Sequence, residues 1–118
     1  MKNFIIRLEN LLFRSRIGVF PEERENLNDF EVNVSVSIDA GAFEPENLET
    51  SVSYAEIYEI IKEEMSEISM LLETVAVRIA DRISSKWNQI LTINVKITKI
   101  NPPIPGIKGT CSVEYVKN

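Results

Sequence analysis

The chain has 118 residues and a net charge of −5, with 44% hydrophobic and 26% charged residues. This is the length and balance of one globular domain with a single core, spanning residues 1–118. An acidic balance argues against a nucleic-acid or anionic-membrane partner, and the lack of histidine removes the commonest acid–base catalyst and metal ligand.

One cysteine, Cys111, leaves no internal disulfide and no thiolate metal site, so no metal is expected. Acid–base chemistry falls to Glu, Asp, Lys or Tyr. The start, Met1 to Arg7, turns polar too early for a signal peptide. No apolar run approaches membrane-spanning length, so no membrane partner and a cytoplasmic location are expected.

In chain order, Phe4, Ile6 and Leu8 alternate with Ile5, Arg7 and Glu9, which predicts a first strand. Leu11 to Arg16 continues it less regularly. Gly18 and Pro21 then mark a loop with an acidic tip at Glu22, Glu23 and Glu25. Phe30, Val32, Val34, Val36 and Ile38 alternate with polar residues, the clearest strand of the chain. A loop with breakers Gly41, Pro45 and Asn47 follows.

Val52 to Ile57 opens a helix. Ser53 is placed to cap it, Glu56 to reach back to the cap amide, and Val52 with Ile57 to staple across it. Tyr54, Ile57, Tyr58, Ile61 and Met65 follow helical spacing, so Tyr54 reads from the residues alone as a core aromatic or a site residue. A second helix carries Leu72, Val75, Ala76, Ile79 and Ile83 on one stripe, with Trp87 near its end. Glu73 lies in its first turn, where the helix dipole by itself favours a carboxylate.

The third strand alternates Leu91, Ile93, Val95 and Ile97, which puts Lys99 next in the inward register, either at a frayed, solvated strand end or aimed into a partly buried site. Pro102, Pro103 and Pro105 remove backbone donors directly after it and make a stiff exit. Cys111, Val113 and Tyr115 belong to a fourth strand. The fold class is α+β: order β-β-α-α-β-β, a four-stranded antiparallel sheet with two helices on one face. The other face, with Glu31, Asn33, Ser35, Ser37, Thr92, Asn94, Lys96 and Thr98, must meet water.

Four motifs now stand in order across nearly the whole chain: Gly18 with Glu23, Val52-Ser53-Tyr54-Ala55, Leu71-Leu72-Glu73, and Ile97-Thr98-Lys99 running into Asn101-Pro102-Pro103-Ile104-Pro105-Gly106. Together they resemble dihydroneopterin aldolase. The resemblance implies the tunnelling fold, in which sheets join between subunits into an oligomeric barrel, a tetramer or octamer, with pterin sites at subunit interfaces. It implies a metal-free cleavage of dihydroneopterin to hydroxymethyl-dihydropterin and glycolaldehyde in folate biosynthesis, with no cofactor and no Schiff base.

Residue by residue, the resemblance makes Glu73 the pterin anchor, helped by the backbone at Leu72. It makes Lys99 the catalytic lysine, Tyr54 a proton-transfer partner, and Glu23 a neighbour of Lys99 and the substrate's tail. Leu27-Asn28 departs from the family's frequent Gly-Gln, and Gly109-Thr110-Cys111-Ser112 lacks further glycines. The choice of Glu23 over Glu22 and Glu25 rests on the count from Gly18. Two alternatives remain: an epimerase on the same scaffold, or a non-enzymatic pterin- or purine-binding oligomer. An epimerase acting on the triphosphate needs a basic cluster, for which Lys96, Lys108 and Lys117 are scattered candidates.

Overall fold

A computed structural model describes residues 1–118. The elements are β1 (Asn3–Ser15), α1 (Pro21–Glu25), β2 (Asn28–Asp39), α2 (Tyr54–Met65), α3 (Leu72–Lys86), β3 (Ile90–Lys99) and β4 (Cys111–Lys117). The strands form one antiparallel sheet in the order β1-β2-β3-β4. The expected sheet is present, but with a third, short helix: α1 occupies the acidic loop that was expected to be irregular. Short 3-10 turns at Ala40–Ala42 and Leu48–Thr50 fill the loop before α2.

Helices α2 and α3 cover one face of the sheet. Phe30, Val32, Val34, Val36 and Ile38 of β2 meet Ile57, Ile60, Ile61 and Met65 of α2, and Val75, Ala76, Ile79, Ala80 and Ile83 of α3, in one buried cluster. Each fully buried side chain of this size contributes roughly 1.5–3 kcal/mol. Ser53 caps α2 as expected, its hydroxyl accepting from the Glu56 amide at 3.3 Å. The return half of that capping box does not form. The Glu56 carboxylate instead takes Lys86 of α3 at 3.2 Å, a contact between two helices that spacing within one helix cannot reveal.

Two irregularities in the ladder correct the sequence reading. The first lies in β3: Ser37 pairs with Thr92 but Ile38 pairs with Ile90, so Leu91 is an extra residue. Leu91 is 39% exposed, and Ile90 packs against the core in its place. From Ile93 onward the register is the expected one, which carries Lys99 inward opposite Phe30.

The second lies in β1. Leu8 pairs with Val34 and Leu11 with Val32, so Glu9 and Asn10 together face Asn33. The bulge swaps the faces: Ile6 and Leu8 before it, and Leu11 and Phe13 after it, all pack on the core. Asn10 has φ 57, a left-handed conformation that asparagine tolerates better than most residues. Its amide donates to Asn33 Oδ1 at 2.8 Å, and its side-chain nitrogen donates to Glu31 Oε1 at 2.8 Å.

These contacts, then the hydrogen bond from Asn33 and the charge of Lys96, hold the Glu31 carboxyl below its ordinary value of 4.5. A lowered folded-state value stabilises the fold above the unfolded value and loses that contribution as pH falls through the folded one. Asn10→Gly keeps the backbone conformation but removes the side-chain donor. Carboxyl-carbon NMR titration should then place Glu31 closer to 4.5 than in the parent. Stability should change less steeply with acid below that pH.

Candidate active site

Lys99 closes β3, and its side chain is only 14% exposed. It stays inward because Ile93, Val95 and Ile97 hold its strand against the core, and because the prolines end the ladder immediately afterward. The Ile100 amide donates back to Asp29 O at 3.2 Å, and the Ile104 amide to Pro102 O at 2.8 Å, so the proline segment folds away. Gly106, at φ 82, supplies the turn that releases the chain toward β4.

Glu23 comes from α1, 76 residues earlier in the chain. One carboxylate oxygen, Oε2, accepts from Lys99 Nζ at 2.6 Å. The other, Oε1, accepts from the Phe20 amide at the start of α1 at 3.2 Å. The Glu23 side chain is 9% exposed, so the pair is largely desolvated. Truncating one member of such a pair costs about 3 kcal/mol or more, because the other charge is left buried and unpaired.

The turn around Glu23 is held at both ends. Arg24 Nη1 donates to the carbonyls of Gly18 at 2.8 Å and Val19 at 2.7 Å. Asn28 Nδ2 donates to the carbonyls of Glu23 and Asn26, both at 3.1 Å. The sequence had flagged Asn28 only as a departure, yet its side-chain amide fixes the turn. Arg24 was not anticipated, since nothing in its position signals a backbone clamp. Glu22 and Glu25 are exposed and take no part in the pair.

Glu73 reaches the same place from α3. Ile17 and Ser69 form an isolated parallel bridge, with Gly18 N donating to Ser69 O at 3.0 Å and Ser69 N donating to Arg16 O at 3.2 Å. That bridge sets the start of α3 beside the Glu23 turn. A cavity of about 200 Å³ opens between them. Glu23, Leu72, Glu73 and Lys99 line it together with Phe20, Met70 and Pro103. Phe20, Met70 and Pro103 were not anticipated; they give the cavity an apolar wall that no polar motif announces.

Tyr54 does not line this cavity. It sits in the first turn of α2 with 70% exposure, which overturns the core-aromatic reading of its helical spacing. Ile60, outside the predicted stripe, takes a buried position on that helix instead.

The cavity thus holds a bare carboxylate at one side, an ammonium paired with a second carboxylate at the other, and apolar surface between. This can grip a flat ring by a two-donor edge and move protons at its far side. Residues 6–116 match the model of the family described as FolB, dihydroneopterin aldolase. The chain belongs to the dihydroneopterin aldolase family.

The curated relatives agree. The chain is 33% identical over 117 residues to the dihydroneopterin aldolase of Staphylococcus epidermidis, covering 98% of this chain and 97% of that one. The fold matches Escherichia coli dihydroneopterin aldolase, solved in complex with neopterin, with a TM-score of 0.83 and 20% identity over 98% of this chain and 99% of that one. It also matches the guanine-bound Burkholderia enzyme, with a TM-score of 0.78 and 18% identity over 98% of this chain and 90% of that one.

Proposed function

We propose that the cavity between α1, α3 and the end of β3 binds dihydroneopterin and cleaves its side chain to hydroxymethyl-dihydropterin and glycolaldehyde. Family membership supports the reaction, a carbon–carbon lyase step in folate biosynthesis. The observation that carries the local reading is the Lys99–Glu23 contact of 2.6 Å in the cavity that also holds Glu73.

Glu73 anchors the ring. The pterin's amino group and adjacent ring N–H form a planar two-donor edge, and a carboxylate accepts both hydrogens. The two ring systems bound by the Escherichia coli and Burkholderia relatives, neopterin and guanine, share that edge chemistry. Leu72 contributes backbone and apolar contact beside it.

Cleavage begins with a proton leaving the tail hydroxyl. The carbon–carbon bond breaks, glycolaldehyde departs, and the electron pair moves into the imine of the ring. Protonation of the resulting enamine carbon gives hydroxymethyl-dihydropterin. The substrate is its own electron sink, so Lys99 moves protons and forms no Schiff base. Glu23 holds the ammonium in place and accepts hydrogen bonds from the tail.

The site is completed by a second copy of the chain. Tyr54 is exposed and outside the cavity, so it serves the cavity of a neighbour. Val19, Phe20, Met70, Leu71 and Ile104, around the same region, are exposed apolar side chains that such a neighbour would cover. The outer strands β1 and β4 have open edges, and a closed ring of sheets removes them. The polar face of the sheet then lines the wet interior of an oligomeric barrel.

Chromatography of products from dihydroneopterin and from its triphosphate tests the reaction and separates cleavage from epimerisation. Glu73→Gln puts a donor against the pterin donors. Calorimetry should show a loss of roughly 2–4 kcal/mol in pterin binding with the fold intact. Lys99→Ala should slow the chemical step about 10²–10⁴-fold while pterin binding changes far less. Borohydride added during turnover should leave the parent protein's mass unchanged, and an adduct on Lys99 would refute the proton-shuttle role. Mixing Tyr54→Phe with Lys99→Ala under subunit exchange should restore activity, since some cavities then receive both intact residues. No recovery despite confirmed exchange counts against the shared site.

A further inference from the structure

Gly18 is buried, and it does not have the left-handed backbone that calls for glycine, unlike Gly106 at φ 82. Its requirement is space. A methyl group built on Gly18 would lie 2.5 Å from both Cβ and Oε1 of Glu23, and closer still to Cδ. Ordinary contact begins at 3.4 Å. Gly106 and Gly109, by contrast, have nothing within 4 Å of such a methyl.

Neither partner in this approach is free to retreat. The Gly18 amide is bonded to Ser69 O at 3.0 Å, and its carbonyl accepts from Arg24 at 2.8 Å. The Glu23 carboxylate is committed at both oxygens, to the Phe20 amide and to Lys99. Any side chain at position 18 must therefore break the backbone bridge to α3 or displace the Glu23 turn, and with it the carboxylate, from Lys99. Rotation of the side chain cannot relieve the contact with Glu23 Cβ, so the Glu23 turn itself must shift, and that shift carries the carboxylate off Lys99.

We propose that Gly18 is a positioning residue for catalysis: its missing side chain is the space across which Glu23 folds to reach Lys99. The role in turnover rests on the aldolase reading of the cavity; the steric role stands apart from it. Glycine at 18 borders the cavity, and its effect on turnover runs through Glu23.

The test is Gly18→Ala, alone and with Glu23→Gly, which removes every side-chain atom the methyl would strike. With Gly18→Ala, kcat should fall about 10²-fold, the scale of a misplacement near 1 Å, while pterin affinity holds. In the Glu23→Gly background the same substitution should cost nothing further, because non-additivity marks residues acting as a unit. Acetic anhydride labelling without pterin, read by peptide mass spectrometry, gives a second measure. An ammonium released from its carboxylate is more open to acylation, so Lys99 of Gly18→Ala should label as fast as Lys99 of Glu23→Gln.

Labelling at the parent's rate, or a kcat loss that adds in full to that of Glu23→Gly, would overturn the proposal. If Gly18→Ala does not fold, a folded Gly18→Ala/Glu23→Gly protein supports the clash as the cause, and a double variant that stays unfolded while Glu23→Gly alone folds overturns it. A parent that leaves dihydroneopterin intact refutes the functional reading alone, since the labelling comparison still decides whether Gly18 sets the pair.

Discussion

The site depends on one contact, the 2.6 Å approach of Lys99 Nζ to Glu23 Oε2. Two largely buried opposite charges are favourable only when their geometry is good and their remaining valences are filled. Much of the neighbouring structure serves that condition. The β2–β3 register places Lys99 opposite Phe30, and the prolines end its strand there. On the other side Arg24, Asn28 and the Phe20 amide hold the turn that presents Glu23. A lysine at a strand end is ordinarily mobile and solvated; here both surroundings are rigid.

The cavity divides its labour by charge. The paired end has no net local charge and is suited to passing protons. The Glu73 end is an unpaired carboxylate in the first turn of α3, where the helix dipole tolerates it. Under the proposed function, binding and chemistry fall to different secondary structures. A substrate spanning both is oriented by its own length, which is the condition for turning a bound encounter into a reactive one.

Much of this was legible in the sequence, because strands with one buried face advertise themselves by alternation. Phe30 to Ile38 needed no revision, since β2 is central and its inner face is wholly covered. The misreadings fell where periodicity was interrupted. Leu91 was assigned inward because a one-residue slip in the ladder leaves no trace in a run of alternating residues. The Glu9–Asn10 bulge blurred β1 in the same way. Tyr54 followed the apolar stripe of α2, but a residue in a helix's first turn can lie beyond the edge of the sheet that the stripe covers. At the site, register puts Lys99 inward and the count from Gly18 picks Glu23, while their nearness is an expectation of the resemblance alone, since no local pattern links residues 76 apart. Arg24 and the apolar wall were missed because backbone clamps and cavity linings carry no local signature.

The parallel bridge between Ile17 and Ser69 has a bearing on how this family can diverge. It fixes the separation of the Glu23 turn from the start of α3 through two peptide-group hydrogen bonds. The width of the cleft is therefore encoded in main-chain geometry, which most side-chain replacements leave untouched. The exceptions are any side chain at position 18, which meets Glu23, and proline at 69, which would delete a donor. Residues facing the cleft are thereby released to vary in polarity and length without changing its gauge. Drift at the walls then leaves the span between Glu73 and the Lys99–Glu23 pair unchanged.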